Sequence, residues 1–264
     1  MRLTVNGGAC YAYTGSRPLA AAAPTVVFVH GAANDHSIWA LQSRYFAFHG
    51  CNVLAVDLPG HGRSAGPALA TVEAIADWIA RLLDTAGVAD AALVGHSLGS
   101  LAVLACAAAH PERVRRLALL GPAVPMAVDD ELIALAKADD PRAFDLICGW
   151  SHSLGKQLGG NTVPGMWMTG GALHLMERTP AGVLHRELLA CRDYAGGLTA
   201  AAAIRCPVLV IVGARDLMTP PKSAAGLIAA LPDSRVLTLP DTGHAMMAEQ
   251  PDAVLDALRA FLRH

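Results

Sequence analysis

Apolar residues fall in this chain into short unbroken runs that alternate with longer stretches of helical period. Thr25-Val26-Val27-Phe28-Val29, Asn52-Val53-Leu54-Ala55-Val56, Ala91-Ala92-Leu93-Val94, residues 114–120 and Pro207 to Val212 are continuous runs bounded by Gly, Pro or polar residues. That is the pattern of strands buried on both faces of a sheet. Arg235 to Leu239 adds a shorter one. Residues 71–86 place Val72, Ile75, Ala76, Ile79, Leu82 and Leu83 at helical spacing, with Gly87 as the C-terminal cap. Residues 249–262 place Val254, Leu255, Leu258, Phe261 and Leu262 on one helical face. Further helices are expected from near Ser37, over 100–110 up to Pro111, and over 220–230. At the start, residues 2–5 and 10–13 flank Asn6-Gly7-Gly8, a hairpin-turn signal for an antiparallel pair. Strands alternating with helices imply an α/β fold, a parallel sheet covered on both faces, with ligands at the carboxyl ends of the strands. The loops after Val29, Val56, Val94 and Leu120 open there.

From about 122 to 200 the pattern changes. Helices are expected over 130–138, 141–148 and 180–191, the last two with Pro141 and Pro180 at the first helical position. A Gly-rich irregular stretch, Ser151 to Gly171, lies between them, and no strand is expected. The chain thus divides into a first core segment, 1–121, a helical cap over the sheet's carboxyl edge, 122–200, and a second core segment, 201–264.

Composition narrows the classes. The 264 residues suffice for one large α/β domain, and 53% hydrophobic residues exclude a disordered chain. A formal net charge of −2 argues against nucleic acid as a partner. No signal-peptide core opens the chain, and the apolar stretch Ala20 to Ala23 is too short for a bilayer, so a cytoplasmic protein with no membrane partner is expected. The 6 cysteines are scattered without a C-x-x-C pair, which favours buried thiols over disulfides or zinc ligands.

The chemistry centres on Gly95-His96-Ser97-Leu98-Gly99, between a strand run and the helical run from Ser100. Glycine on both sides lets strand and helix approach closely, so Ser97 stands clear of the backbone at a helix N-terminus, where negative charge is favoured. A serine hydroxyl needs a base, and the base an orienting acid. Of 11 histidines, His244 directly follows the last strand, in a Gly-containing loop on the same edge. Asp216 follows the run 208–212. Asp193 falls inside the cap, Asp241 is too near His244 in sequence, and Gly121-Pro122-Ala123 holds no carboxylate. The candidate catalytic residues are therefore Ser97, Asp216 and His244, and no metal-ligand spacing or cofactor requirement accompanies them.

The order Ser, Asp, His at strand ends, together with His30-Gly31, Asp57 to Ser64, Gly95 to Gly99, Gly213 to Asp216 and Gly243-His244, resembles the α/β-hydrolase superfamily over nearly the whole chain. The resemblance implies an eight-stranded, mostly parallel sheet flanked by helices, with a helical cap after strand six. It also implies an oxyanion hole from the backbone N–H groups of Leu98 and Ala32, and scaffold roles for Asp57 and Arg63. His30 is expected to serve the hydrogen bonding of its loop. Haloalkane dehalogenases and epoxide hydrolases of this fold carry aspartate where this chain has Ser97. The remaining readings are a hydrolase of a small-molecule ester or lactone, nearest to bacterial carboxylesterases and enol-lactone hydrolases, or a C–C bond hydrolase, perhydrolase or cofactor-free oxygenase on the same three residues. A non-catalytic binding protein is the outlying alternative. Trp150, Met166, Trp167 and Met168 either shape an apolar substrate pocket or pack the cap onto the core. Asn34, Asp35 and His36 either meet polar groups of the substrate or cap the next helix.

Overall fold

The computed structural model describes residues 1–160 and 165–262. Eight strands form one sheet: β1 (Arg2–Val5), β2 (Gly8–Tyr13), β3 (Thr25–Val29), β4 (Asn52–Val56), β5 (Ala91–His96), β6 (Val114–Leu120), β7 (Val208–Gly213) and β8 (Ser234–Leu239). The spatial order is β1-β2-β4-β3-β5-β6-β7-β8. β1 and β2 pair antiparallel, as do β2 and β4, and every later pairing is parallel. β3, β4, β5 and β7 are buried at every residue, which is why they read as unbroken apolar runs. The alternation of side chains divides them between two layers. Val27 and Val29 face a core shared with the helices Val72–Thr85 and Leu98–Ala109, whereas Val26 and Phe28 face a second core containing Trp39, Phe46, Val254 and Phe261.

The chain runs from β3 outward to β4 and then returns past β3 to β5, so the strand order reverses between β3 and β5. A crevice opens at the carboxyl ends of strands at such a switch point. The loops leaving β3 and β5 are the ones that carry His30-Gly31 and Ser97.

The helix Val72–Thr85 starts where the Thr71 hydroxyl accepts the amide of Ala74 at 3.1 Å. It ends in a left-handed Gly87, whose amide reaches the Asp84 carbonyl at 3.1 Å while that of Val88 reaches Leu83 at 2.9 Å. Leu98–Ala109 is apolar all round because it is buried all round, from Leu98 through Ala107. Its approach to the sheet depends on two glycines. A Cβ on Gly95 would come within 2.2 Å of the Gly99 carbonyl oxygen, and one on Gly99 within 2.4 Å of the Val29 carbonyl oxygen.

Between β6 and β7 lie the helices Asp130–Lys137, Arg142–Ser151, Leu154–Gln157, Met168–Met176, Val183–Asp193 and Gly197–Ala202, with no strand among the described residues. The helices Asp130–Lys137, Arg142–Ser151, Met168–Met176 and Val183–Asp193 share a small core that includes Leu132, Ile147, Met176, Leu184 and Leu188, and Ala33 of the loop after β3 inserts into it. Three boundaries differ from the sequence pattern. The helix expected from Pro180 begins at Val183, because Gly182 adopts a left-handed φ of 75°. The helix expected over 141–148 runs on to Ser151, with Pro141 just outside its start. Within the stretch expected to be irregular, Leu154–Gln157 forms one helical turn and Met168–Met176 is helical despite Gly170-Gly171, where a Cβ on Gly170 would lie 2.2 Å from the Trp167 ring. Residues 161–164 of that stretch lie outside the described residues. The segments from Ser37 and Pro220 open with 3₁₀ turns, His36–Trp39 and Pro221–Ala224, before the α-helices Ala40–Phe48 and Ala225–Ala230. None of the six cysteines forms a disulfide; four are buried and Cys51 and Cys206 half-buried.

Gly99→Ala is expected to destabilise the fold by about 3 kcal/mol or more, since its methyl meets backbone rather than a side chain that can move aside. Urea unfolding of the variant beside wild type measures this.

Candidate active site

Ser97 occupies the turn between β5 and the helix behind it, at φ 53° and ψ −121°, a conformation that non-glycine residues rarely adopt. The turn is held because the Ser97 amide donates to the Leu120 carbonyl at 2.9 Å, while its own carbonyl accepts the amide of Ser100 at 2.8 Å and the Ser100 hydroxyl at 2.6 Å. The side chain is half-buried and faces a cavity that His244 also lines. Leu98, the first residue of the helix, has an amide with no acceptor inside the helix.

Asp216 and His244 meet across the ends of β7 and β8. His244 Nδ1 lies 2.8 Å from Asp216 Oδ2, with both side chains buried. Burial works against the Asp216 charge, but His244 and hydrogen bonds from Thr219 outweigh it and hold the carboxyl below its ordinary range. Nothing in the sequence pattern pointed to Thr219. Its amide donates to Asp216 Oδ1 at 2.8 Å. Its hydroxyl lies 2.8 Å from Asp216 Oδ2, 3.1 Å from the Gly121 carbonyl and 3.0 Å from His244 Nδ1. A Thr three residues after a strand-end Asp, where its amide can cap the carboxylate, is the signal that would have found it. With Nδ1–H committed to the carboxylate, Nε2 of His244 is left as the basic nitrogen. His96 steadies the same loop: its Nε2–H donates to the His244 carbonyl at 3.0 Å. Burial, reinforced by repulsion from the His244 ring, lowers the His96 pKa to about 3, so this ring stays neutral.

The loop after β3 is built differently. The Leu58 amide donates to His30 Nε2 at 3.1 Å, which leaves Nδ1–H to donate to the Gly31 carbonyl at 2.8 Å. His30 is thus a structural tie of its loop, its pKa lowered to about 4 by burial. Ala33 has a left-handed φ of 52° and is fully buried. Its amide donates to Glu187 Oε2 at 2.8 Å, and its carbonyl accepts the Thr179 hydroxyl at 3.4 Å. Glu187, 2% exposed on the insertion helix Val183–Asp193, also places Oε1 3.1 Å from His61 Nε2, out of line for a good hydrogen bond. Burial opposes a charge on His61, but Glu187 and the Pro59 carbonyl, 3.1 Å from Nδ1, raise its pKa above the ordinary value. A second buried carboxylate, Glu249, accepts the Gly243 amide at 3.0 Å and the Ser153 hydroxyl at 2.6 Å. It ties the loop before His244 to the insertion.

Asp35 and His36 take the capping alternative. Asp35 Oδ1 accepts the Ser37 amide at 2.7 Å, and His36 Nδ1 lies 2.7 Å from Asp57 Oδ1. Asp57 also accepts the amides of His36 and Arg63, both at 2.8 Å; burial opposes its charge, and these bonds still keep the carboxyl below its usual range. Asn34 lines the cavity, its amide donating to the Ala32 carbonyl at 2.8 Å. Gly31 and Ala32 line it as well.

The cavity encloses about 830 Å³ beneath the insertion. Trp150, Met166, Trp167 and Met168 all line it, but at different depths: Met168 is buried, Trp150 half-buried, and Met166 and Trp167 are 50% and 72% exposed at the mouth. Met126, Met176, Met218 and Met247 make its walls adaptable as well as apolar. Among the described residues that line it there is no Lys or Arg, and its two carboxylates, Asp129 and Asp252, are exposed.

A crevice at the switch point, a serine on a strained strand-to-helix turn and an Asp–His pair on the adjacent strand ends define a hydrolase-type site on an α/β sheet. The chain belongs to the alpha/beta hydrolase family, whose model matches residues 26–257. It is 32% identical over 249 residues to the pimeloyl-[acyl-carrier protein] methyl ester esterase of Chromobacterium violaceum, covering 91% of this chain and 94% of that one. Among solved structures it is similar to the enol-lactonase from Burkholderia xenovorans LB400, with a TM-score of 0.89, 26% identity and 100% of each chain covered. The esterase from Exiguobacterium antarcticum shares the fold, with a TM-score of 0.86 at 18% identity over 100% of this chain and 99% of that one.

The raised pKa of His61 makes stability depend on pH in a defined direction. The contribution of the His61–Glu187 pair is complete below the unfolded histidine value, about 6.5, and is lost as pH rises through the higher folded value. Urea unfolding between pH 6 and pH 9 is expected to show a fall in stability that His61→Gln lessens.

Proposed function

We propose that the protein is a serine hydrolase acting on carboxylic esters or lactones through an acyl-enzyme. The observation that carries this reading is the buried Asp216–His244 pair, 2.8 Å apart, whose free imidazole nitrogen shares one cavity with the strained Ser97. His244 takes the Ser97 proton as the hydroxyl oxygen attacks the substrate carbonyl. Asp216 holds the tautomer and favours the imidazolium, with Thr219 fixing the carboxylate. The amides of Leu98 and Ala32 receive the oxyanion. His244 then protonates the leaving alcohol and activates water to hydrolyse the acyl-enzyme. No step calls on a metal or an organic cofactor. The ester-cleaving and lactone-cleaving relatives support the same chemistry, and the helices between β6 and β7 serve as the cap that roofs the site.

The cavity favours an uncharged substrate of small to medium length. Its walls are apolar and methionine-rich, and among the described lining residues there is no Lys or Arg to neutralise a buried anion. Burying an unpaired carboxylate costs several kcal/mol, and the exposed Asp129 and Asp252 disfavour anions further.

Hydrolysis of p-nitrophenyl esters from acetate to decanoate is expected for wild type and to fall by more than about 10⁴-fold in Ser97→Ala. Equal rates in both proteins would remove Ser97 as nucleophile. Within the wild-type series, p-nitrophenyl hexanoate is expected to exceed the mono-p-nitrophenyl ester of adipic acid in kcat/KM by about a hundredfold at pH 7. A carboxylate ester cleaved as well as the neutral one would refute the uncharged-substrate reading.

A further inference from the structure

We infer that Glu187 is a positioning residue for catalysis: from the insertion, its carboxylate holds the Ala33 peptide so that the neighbouring Ala32 amide faces the reacting carbonyl oxygen. This rests on the serine-hydrolase reading and adds a part that no strand end supplies. Ala33 is the one residue of its loop in the left-handed region, at φ 52°, and it has no side-chain reason to be there. Both polar groups of its backbone are instead held from the insertion, the amide by Glu187 at 2.8 Å and the carbonyl by Thr179 at 3.4 Å. The neighbouring Ala32 carbonyl is held by Asn34 at 2.8 Å. These bonds tie down the Ala32–Ala33 peptide, while the Gly31 carbonyl of the peptide that bears the Ala32 amide is held by His30 Nδ1 at 2.8 Å, so that amide is fixed between two tied peptides, and Ala32 lines the cavity that Ser97 faces. A donor of this kind acts only where it is prealigned with the developing charge, and losing one typically costs about 10²–10³-fold in kcat.

The groups around the Glu187 carboxylate support a holding role. Oε2 accepts the Ala33 amide, and Oε1 faces His61, which His30 packs against with ring centroids 4.9 Å apart. Arg186, the adjacent residue, turns away to donate to the Ala68 carbonyl at 3.2 Å, a second tie between insertion and core that does not touch the loop after β3. Displacing the insertion would therefore withdraw the acceptor from Ala33 and dismantle the oxyanion site along with the roof of the cavity.

Two substitutions separate reach from charge. Glu187→Gln keeps an acceptor at the same distance and loses the charge, and its amide N–H₂ can donate to a neutral His61. Glu187→Asp keeps the charge and draws the acceptor back by one carbon. The readouts are kcat and KM for p-nitrophenyl acetate, too short to depend on the apolar walls, the rate constant for fluorophosphonate labelling of Ser97, and the melting temperature. Expected are a fall of about ten- to a hundredfold in kcat and in labelling rate for Glu187→Asp and Glu187→Ala, KM within about twofold, and near-recovery in Glu187→Gln. Arg186→Ala, which frees the other tie, is expected to leave kcat within about twofold whatever it does to the melting temperature. The inference is overturned if Glu187→Asp keeps wild-type kcat and labelling, or if Glu187→Gln is as impaired as Glu187→Ala. Wild-type protein that neither cleaves esters nor labels at Ser97 overturns the hydrolase reading and this inference with it; labelling without ester cleavage leaves the labelling rates to decide the role of Glu187.

Discussion

The site depends on how closely the helix Leu98–Ala109 can approach the ends of β3 and β5. No side chain larger than a hydrogen fits at Gly95 or Gly99, where backbone carbonyls of the turn itself and of Val29 and His30 stand in the way. The contact compresses the turn, and the compression puts Ser97 at a positive φ with its side chain toward the cavity. Helix burial supplies the compensation, since residues 98–107 lie wholly inside the core. The same approach sets Gly99, next to Leu98 at the start of the helix, against the carbonyls of Val29 and His30 at the end of β3. One packing constraint thereby sets both the Ser97 turn and the start of the helix at Leu98.

The remaining parts sit on loops, which a sheet alone does not hold. Each such loop is held by a buried acid acting on backbone amides. Asp57 gathers His36 and Arg63, Glu187 holds Ala33, and Glu249 holds Gly243 together with Ser153. A carboxylate that accepts N–H groups keeps its charge stabilised in a low-dielectric setting and leaves no orphan donor. Removing one strands both the amide and its neighbours, so these residues act as joints rather than as isolated ion pairs. Two of the three reach between the core and the helices inserted after β6. The geometry of the reacting groups and the closure of the cavity over them are consequently coupled through hydrogen bonds.

Electrostatics divides the histidines by environment. His30 and His96 are buried without an acid of their own, and both are held neutral as hydrogen-bonding parts of the frame. His61 and His244 each face a carboxylate, Glu187 and Asp216. Of these two, His244 lines the cavity that Ser97 also lines and His61 does not. Position past a strand singled out His244 from the sequence; its neighbour His96, immediately before the serine, differs from it in facing no carboxylate and in a pKa lowered to about 3.

The sequence by itself determined the parts governed by local pattern. The strands were legible because β3, β4, β5 and β7 are buried on both faces and must be continuously apolar. The elbow was legible because only glycine tolerates its close contacts, and the Asp216–His244 pair because both residues lie in the loops just past β7 and β8. Only the tertiary structure decided which distant groups meet. Thr219 joins Asp216 and Gly121, Glu187 crosses 154 residues to Ala33, and Glu249 crosses 96 to Ser153. It also set the helix Met168–Met176, whose glycines argue against helix locally but give the Trp167 ring room to lie against Gly170. Periodicity reports how a segment partitions between water and core. A hydrogen bond between remote residues leaves no periodic trace, because a buried glutamate reads in sequence like any solvated one until the fold places a donor beside it.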